Sequence, residues 1–152
     1  MQDVPIRVLL IEDSLADALR VIGRLEQELG SLDFESIAFE RAATLAKGID
    51  LLGKKNTDIV LLDLHLPDSA GSDTVHRLRE ADPTVPIVVV TSAKGDLPLR
   101  ALKAGAQDYF CKGDLETGPL IHRCLRYAIE RTNSPSLSPA ASLSNRSPNV
   151  TA

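Results

Sequence analysis

Residues 59–67 read Ile-Val-Leu-Leu-Asp-Leu-His-Leu-Pro, and the first five of them decide the fold. Ile59–Leu62 is a short, unbroken apolar run with β-branched residues at its start. Such a run suits a strand buried on both faces, as in a parallel sheet covered by helices. It ends in one carboxylate, Asp63. In open α/β sheets ligands bind beyond the carboxyl ends of the strands, so Asp63 stands where chemistry is expected.

Working outward, two further segments have the same character: Ile6–Ile11 (IRVLLI) and Ile87–Val90 (IVVV). Phe34–Phe39 is mixed in polarity and reads as an edge strand. Gln107–Cys111 is short and aromatic and reads as a fifth strand. Helical periodicity fills the gaps. Ala18, Ile22, Leu25 and Leu29 repeat at helical spacing after Ser14, a candidate cap with Asp17 three residues on, and Gly30 marks the expected end. Leu45, Ile49 and Leu52 stripe a second helix. Val75 and Leu78 lie in a third, which Asp82-Pro83 should stop. Leu99, Leu102 and Lys103 lie in a short fourth, closed by Gly105. Ile121, Cys124, Leu125 and Ala128 stripe a fifth. This alternation predicts an α/β fold, a doubly wound five-stranded parallel sheet with helices on both faces.

Composition sets the outer bounds. The chain has 152 residues, 43% apolar and 25% charged, with a formal net charge of -4. That is one soluble domain with no overall basic character, so no direct nucleic-acid partner is expected. No apolar run approaches the roughly 18 residues that span a bilayer, so no membrane partner is expected. Val8–Ile11 is too short for a signal peptide and ends in Glu12-Asp13, which predicts a cytoplasmic location. Cys111 and Cys124 lack metal-ligand spacing and read as two small core hydrophobes in a reducing compartment. Composition changes after Thr132. Residues 133–152 hold six Ser, three Pro and one charge, and no aromatic residue. Such a stretch buries too little surface to offset its ordering entropy. The expected division is a folded domain over 1–132 and a disordered tail over 133–152, with no second folded domain.

The strand ends carry complementary groups. The first strand runs into Glu12-Asp13, the third into Asp63, the fourth into Thr91-Ser92 and the fifth into Lys112. Three crowded carboxylates repel one another unless a cation sits among them. Mg²⁺ prefers oxygen ligands, keeps several waters and needs only one or two carboxylates directly. It would lower the charge near Asp63 and stabilise a transferring phosphoryl group. Lys112 offers an ammonium and Thr91 a hydroxyl to phosphoryl oxygens. Each residue alone has a plainer reading: a helix cap, a surface lysine, a strand-forming threonine. Four consecutive strand ends carrying matched groups are harder to explain independently.

Ile11-Glu12-Asp13-Ser14, Leu61-Leu62-Asp63-Leu64, Pro67, Gly71, Thr91 and Lys112, in that order and spacing, resemble the response-regulator receiver domain of two-component signalling. The resemblance covers roughly Pro5 to Thr132, and the run Ala104–Gly113 is especially similar to members whose lysine precedes Gly. It implies a stand-alone, flavodoxin-like receiver with strand order 2-1-3-4-5, an order borrowed from that fold. It implies that Asp63 is the phosphoacceptor, that Asp13 binds Mg²⁺ directly and Glu12 through water, and that the His65 backbone carbonyl is another ligand. It implies that Thr91 and Tyr109 are the switch pair and that Lys112 binds the phosphoryl group. A sensor histidine kinase or phosphotransfer protein would donate that group, and an unknown downstream protein would read the result on the face formed by the fourth helix, fifth strand and fifth helix.

The sequence departs from the family pattern in two places. Gly113 stands where Pro is usual, so the Lys112–Gly113 peptide is expected to be trans, since cis before a non-proline residue costs about 2.5–4 kcal/mol. Ser92 stands where Ala is common. The His65 ring is expected to face solvent, although a histidine two residues past a carboxylate could ligate a transition metal. That position and Ala93 help to set phosphoryl lifetime in receivers. Two rivals stay open at this point. An aspartate-dependent phosphatase would want a second Asp where His65 stands, and a binding module that is never phosphorylated would not need the whole set of site residues.

Overall fold

The computed structural model describes residues 5–32, 37–92, 95–115, 126–127 and 130, without the side chains of 28–32. Five parallel strands form one sheet: β1 (Ile6–Ile11), β2 (Ile37–Ala42), β3 (Ile59–Leu62), β4 (Ile87–Thr91) and β5 (Asp108–Cys111). Their order across the sheet is 2-1-3-4-5. Four helices connect them: α1 (Leu15–Leu32), α2 (Leu45–Leu52), α3 (Asp73–Ala81) and α4 (Leu97–Lys103). After β3 the chain makes a small antiparallel hairpin, His65–Leu66 against Ser69–Ala70, before α3 begins.

The period-two alternation of the strands builds two cores, one on each sheet face. Val8, Leu10, Ile59 and Leu61 point to the side covered by α1, against Ala18, Val21 and Leu25. Leu9, Ile11, Val60 and Leu62 point to the other side, against Leu45, Leu52, Val75 and Leu78 of α2 and α3. All four residues of β3 are buried. This is why the run read as continuously apolar rather than alternating.

Several boundaries differ from expectation. The edge strand runs Ile37–Ala42 rather than Phe34–Phe39, because it pairs with β1 along its whole length, Ile6 with Ile37 through Ile11 with Ala42. Phe34 itself lies outside the described residues. Gly30 does not end α1, which continues to Leu32. In α4 the buried residue is Ala101, Leu102 is partly buried, and Leu99 faces outward at 53% exposure. Leu99, Leu102 and Lys103 do lie in this helix, as expected. Gly105 does close α4, with φ of 121°. The fifth-helix stripe of Ile121, Cys124, Leu125 and Ala128 lies outside the described residues, as does the tail. Arg126, Tyr127 and Glu130 are helical, and Tyr127 packs on the α1-side core and donates its hydroxyl to Asp108 Oδ2 at 3.0 Å. Cys111 is half-buried and free. No helix among the described residues is long and apolar enough to cross a membrane.

Candidate functional site

The site is assembled where β1, β3, β4 and β5 end. Past the last pairs of β1, the Glu12 amide donates to Ala42 O at 2.9 Å, and the Asp63 amide donates to Ile11 O at 2.9 Å. The two turns that carry the carboxylates are thus extensions of the sheet ladder. Arg41 reaches over from β2 and donates from Nε to Glu12 O and from Nη2 to Asp13 O, both at 3.0 Å. That fork fixes the backbone of the β1–α1 turn.

Ser14 caps α1 as expected, its Oγ accepting from the Asp17 amide at 3.2 Å. Its own amide donates to Glu12 Oε2 at 3.1 Å. Glu12 Oε1 pairs with Lys112 Nζ at 2.7 Å, so both carboxylate oxygens are held. Glu12, Asp63, Thr91 and Lys112 are buried, and Asp13 is exposed. One carboxylate oxygen from each of Glu12, Asp13 and Asp63 lies within 4.8 Å of the others. Lys112 Nζ stands 3.6 Å from Asp63 Oδ2, close enough for charge attraction but long for a hydrogen bond.

These placements shift two titrations. Burial raises the Glu12 carboxyl above its ordinary range, against the Lys112 and Ser14 hydrogen bonds that lower it. Burial alone would lower the Lys112 ammonium, but hydrogen bonds to Asp17 and Glu12 and the charge of Asp63 outweigh it and raise the pKa. Lys112 is therefore a full cation among carboxylates.

The sequence-predicted residues Glu12, Asp13, Asp63 and Lys112 converge. Thr91 is buried at the end of β4 as expected, whereas Tyr109 is 39% exposed on β5. The His65 side chain is exposed and is not among the clustered carboxylates, which counts against ring ligation of a metal. Ala93 lies outside the described residues. The Lys112–Gly113 peptide is trans.

Sequence reasoning missed three supports. Asp17, read only as a capping partner, accepts from Lys112 Nζ at 2.8 Å. Arg20 donates from Nη2 to Lys112 O at 3.1 Å. Asp68, in the turn of the hairpin, accepts from the Leu45 and Ala46 amides at 2.8 and 2.9 Å. The one local signal for Asp17 was its place three residues after the Ser14 cap, in the first turn of α1. Arg20 and Asp68 gave no local signal.

An acidic pocket with a buried lysine, at the carboxyl edge of a 2-1-3-4-5 parallel sheet, defines a class. The chain belongs to the response regulator receiver domain family, whose model matches residues 8–122. It is 35% identical over 107 residues to the cell cycle transcriptional regulator CtrA of Caulobacter vibrioides, spanning 70% of this chain and 43% of that one. It is 40% identical over 65 residues to the regulatory protein LuxO of Vibrio cholerae, spanning 42% of this chain and 14% of that one. The chain thus spans less than half the length of these curated relatives. A CheY-like receiver domain protein from Methanospirillum hungatei shares the fold with a TM-score of 0.69 at 22% identity, over 86% of this chain and 99% of that one.

Proposed function

We propose that the chain is a phosphorylation-controlled signalling switch in which Asp63 accepts a phosphoryl group. The observation that carries this reading is the buried Asp63 carboxylate, clustered with Glu12 and Asp13 and faced by the Lys112 ammonium. The donor set is all oxygen, and three carboxylates stand against one ammonium, which fits a hard divalent cation. Glu12, Asp13 and Asp63, with the His65 backbone carbonyl, would hold Mg²⁺. When bound, Mg²⁺ supplies positive charge to the oxygens of the transferring phosphoryl group.

The chain's own residues do the rest. An Asp63 oxygen attacks phosphorus of a phosphohistidine; the P–O bond forms, the P–N bond breaks, and its electron pair returns to the imidazole. Lys112 and the Thr91 hydroxyl hold phosphoryl oxygens. Thr91 follows the group inward and Tyr109 leaves its exposed position, which shifts a two-state equilibrium. The donor is a sensor histidine kinase or phosphotransfer protein, and the output is binding to a downstream protein in the cytoplasm. The chain acts as a phosphoacceptor rather than a turnover enzyme. The exposed His65, where a phosphatase would carry a second Asp, supports this over the phosphatase reading.

The test is mass spectrometry after incubation with acetyl phosphate, with and without a chelator of divalent cations. One phosphoryl group is expected on Asp63 and none in Asp63→Asn, because an amide is a poor nucleophile. Asp13→Asn should slow labelling, and Thr91→Ala should allow labelling but blunt the conformational response. Absence of an adduct from every donor, together with absence of Mg²⁺ binding, would replace the switch with an unphosphorylated binding module.

A further inference from the structure

We infer that Asp17 is a positioning residue that competes with the incoming phosphoryl group for the Lys112 ammonium. The inference rests on the reading of Asp63 as acceptor. Two of the three Lys112 N–H groups are committed, to Glu12 Oε1 at 2.7 Å and Asp17 Oδ2 at 2.8 Å, while Asp63 Oδ2 lies at 3.6 Å. The lysine is drawn toward α1 and away from the acceptor.

The first turns of α1 hold Lys112 at both ends. Asp17 takes the ammonium, and Arg20, one turn on, donates to the Lys112 carbonyl at 3.1 Å. Arg20 Nη1 also lies 3.8 Å from Asp17 Oδ1, which keeps the carboxylate turned toward the lysine. Asp17 belongs to this arrangement and not to the Glu12–Asp13–Asp63 cluster.

The two carboxylates on the ammonium differ in their access to water. The Glu12 side chain is 3% exposed and would be left buried without its charge partner; the Asp17 side chain is 31% exposed and can exchange the lysine for water. The bond that yields when a phosphoryl group draws Lys112 toward Asp63 is therefore the one to Asp17. Breaking it opposes retention of the phosphoryl group, so Asp17 sets the affinity of the site for a phosphoryl-like anion.

The test uses the full chain and beryllofluoride, which mimics the acyl phosphate, with calorimetry for Mg²⁺ alone and for beryllofluoride with Mg²⁺. Asp17→Asn should bind beryllofluoride about two- to five-fold more tightly, the range for one solvent-facing ion pair. Its affinity for Mg²⁺ alone should not rise, since Asp17 lies outside the carboxylate cluster. Asp17→Glu, which keeps the charge, should return beryllofluoride affinity to the wild-type value. In a Lys112→Ala background, Asp17→Asn should produce no gain. Equal or weaker beryllofluoride binding in Asp17→Asn overturns the inference, as does an equal gain in Asp17→Glu or a gain that persists without Lys112. Weaker binding of both ligands with a lowered melting temperature assigns Asp17 a purely structural role and also overturns it. If the wild-type chain binds no beryllofluoride, the failure lies with the reading of Asp63 itself.

Discussion

Asp68 shows how one side chain secures a helix it does not belong to. The first four amides of α2 have no partner within the helix. Thr44 Oγ1 accepts from Lys47 and the Asp68 carboxylate accepts from Leu45 and Ala46, and the helix's own ladder begins with Gly48 donating to Thr44 O. The Leu45 and Ala46 amides hold the Asp68 carboxyl below its ordinary value of 3.8. A carboxyl with a lowered folded-state pKa contributes stability that is present above its unfolded value and lost as pH falls through the folded one. Asp68→Ala should therefore lower stability by about 1 kcal/mol at neutral pH, the usual worth of a helix cap. The difference from wild type should narrow as pH falls below 3.8. Urea unfolding across the acid range measures both, and a gap that widens in acid would contradict the assignment. Residue identity made Glu12, Asp13, Asp63, Thr91 and Lys112 legible in the sequence, because each directly follows or ends a recognisable apolar run. Asp68 had no such flag, since its partners lie 22 and 23 residues upstream.

At the level of elements, α2 approaches β1 closely at Gly48. Gly48 is buried in the helix, and a Cβ there would overlap Cδ1 of Ile11, nearer than real Cβ atoms come to a neighbour. Ile11 is completely buried and precedes Glu12, so any push on it is felt at the site. Gly48→Ala should destabilise the chain. Overpacking costs about 1–3 kcal/mol, which equals or exceeds the about 1 kcal/mol that Ala gains over Gly in a helix, and the fully buried Ile11 leaves little room to yield. A shift of the urea midpoint upward would mean that α2 moves freely on the sheet. At the opposite edge of the sheet Arg79 of α3 donates to Val85 O and Gly105 O, both at 2.7 Å, and joins the segments that lead into β4 and β5. Element type was legible from periodicity, but some faces and ends were not. The bounds of β2 follow its pairing with β1, and in α4 Ala101 is buried in the core while Leu99 is exposed. Both outcomes depend on what lies opposite in space, which a single segment does not carry.

For the whole molecule, the two cores and the site lie within the matched domain, and the Ser- and Pro-rich composition of 133–152 supports a dispensable tail. A chain ending at Thr132 should melt within a few degrees of the full chain by calorimetry; a large loss would mean that the tail packs on the domain. The site joins residues far apart in the chain. Lys112 meets Asp17 across 95 residues, and Arg41 meets Glu12 across 29. A chain leaving the ribosome folds from its N-terminus, and by the time Gln107 has emerged it holds Glu12, Asp13 and Asp63 but no ammonium among them. The Lys112 ammonium thus joins the carboxylates only once β5 and the turn that follows it are made.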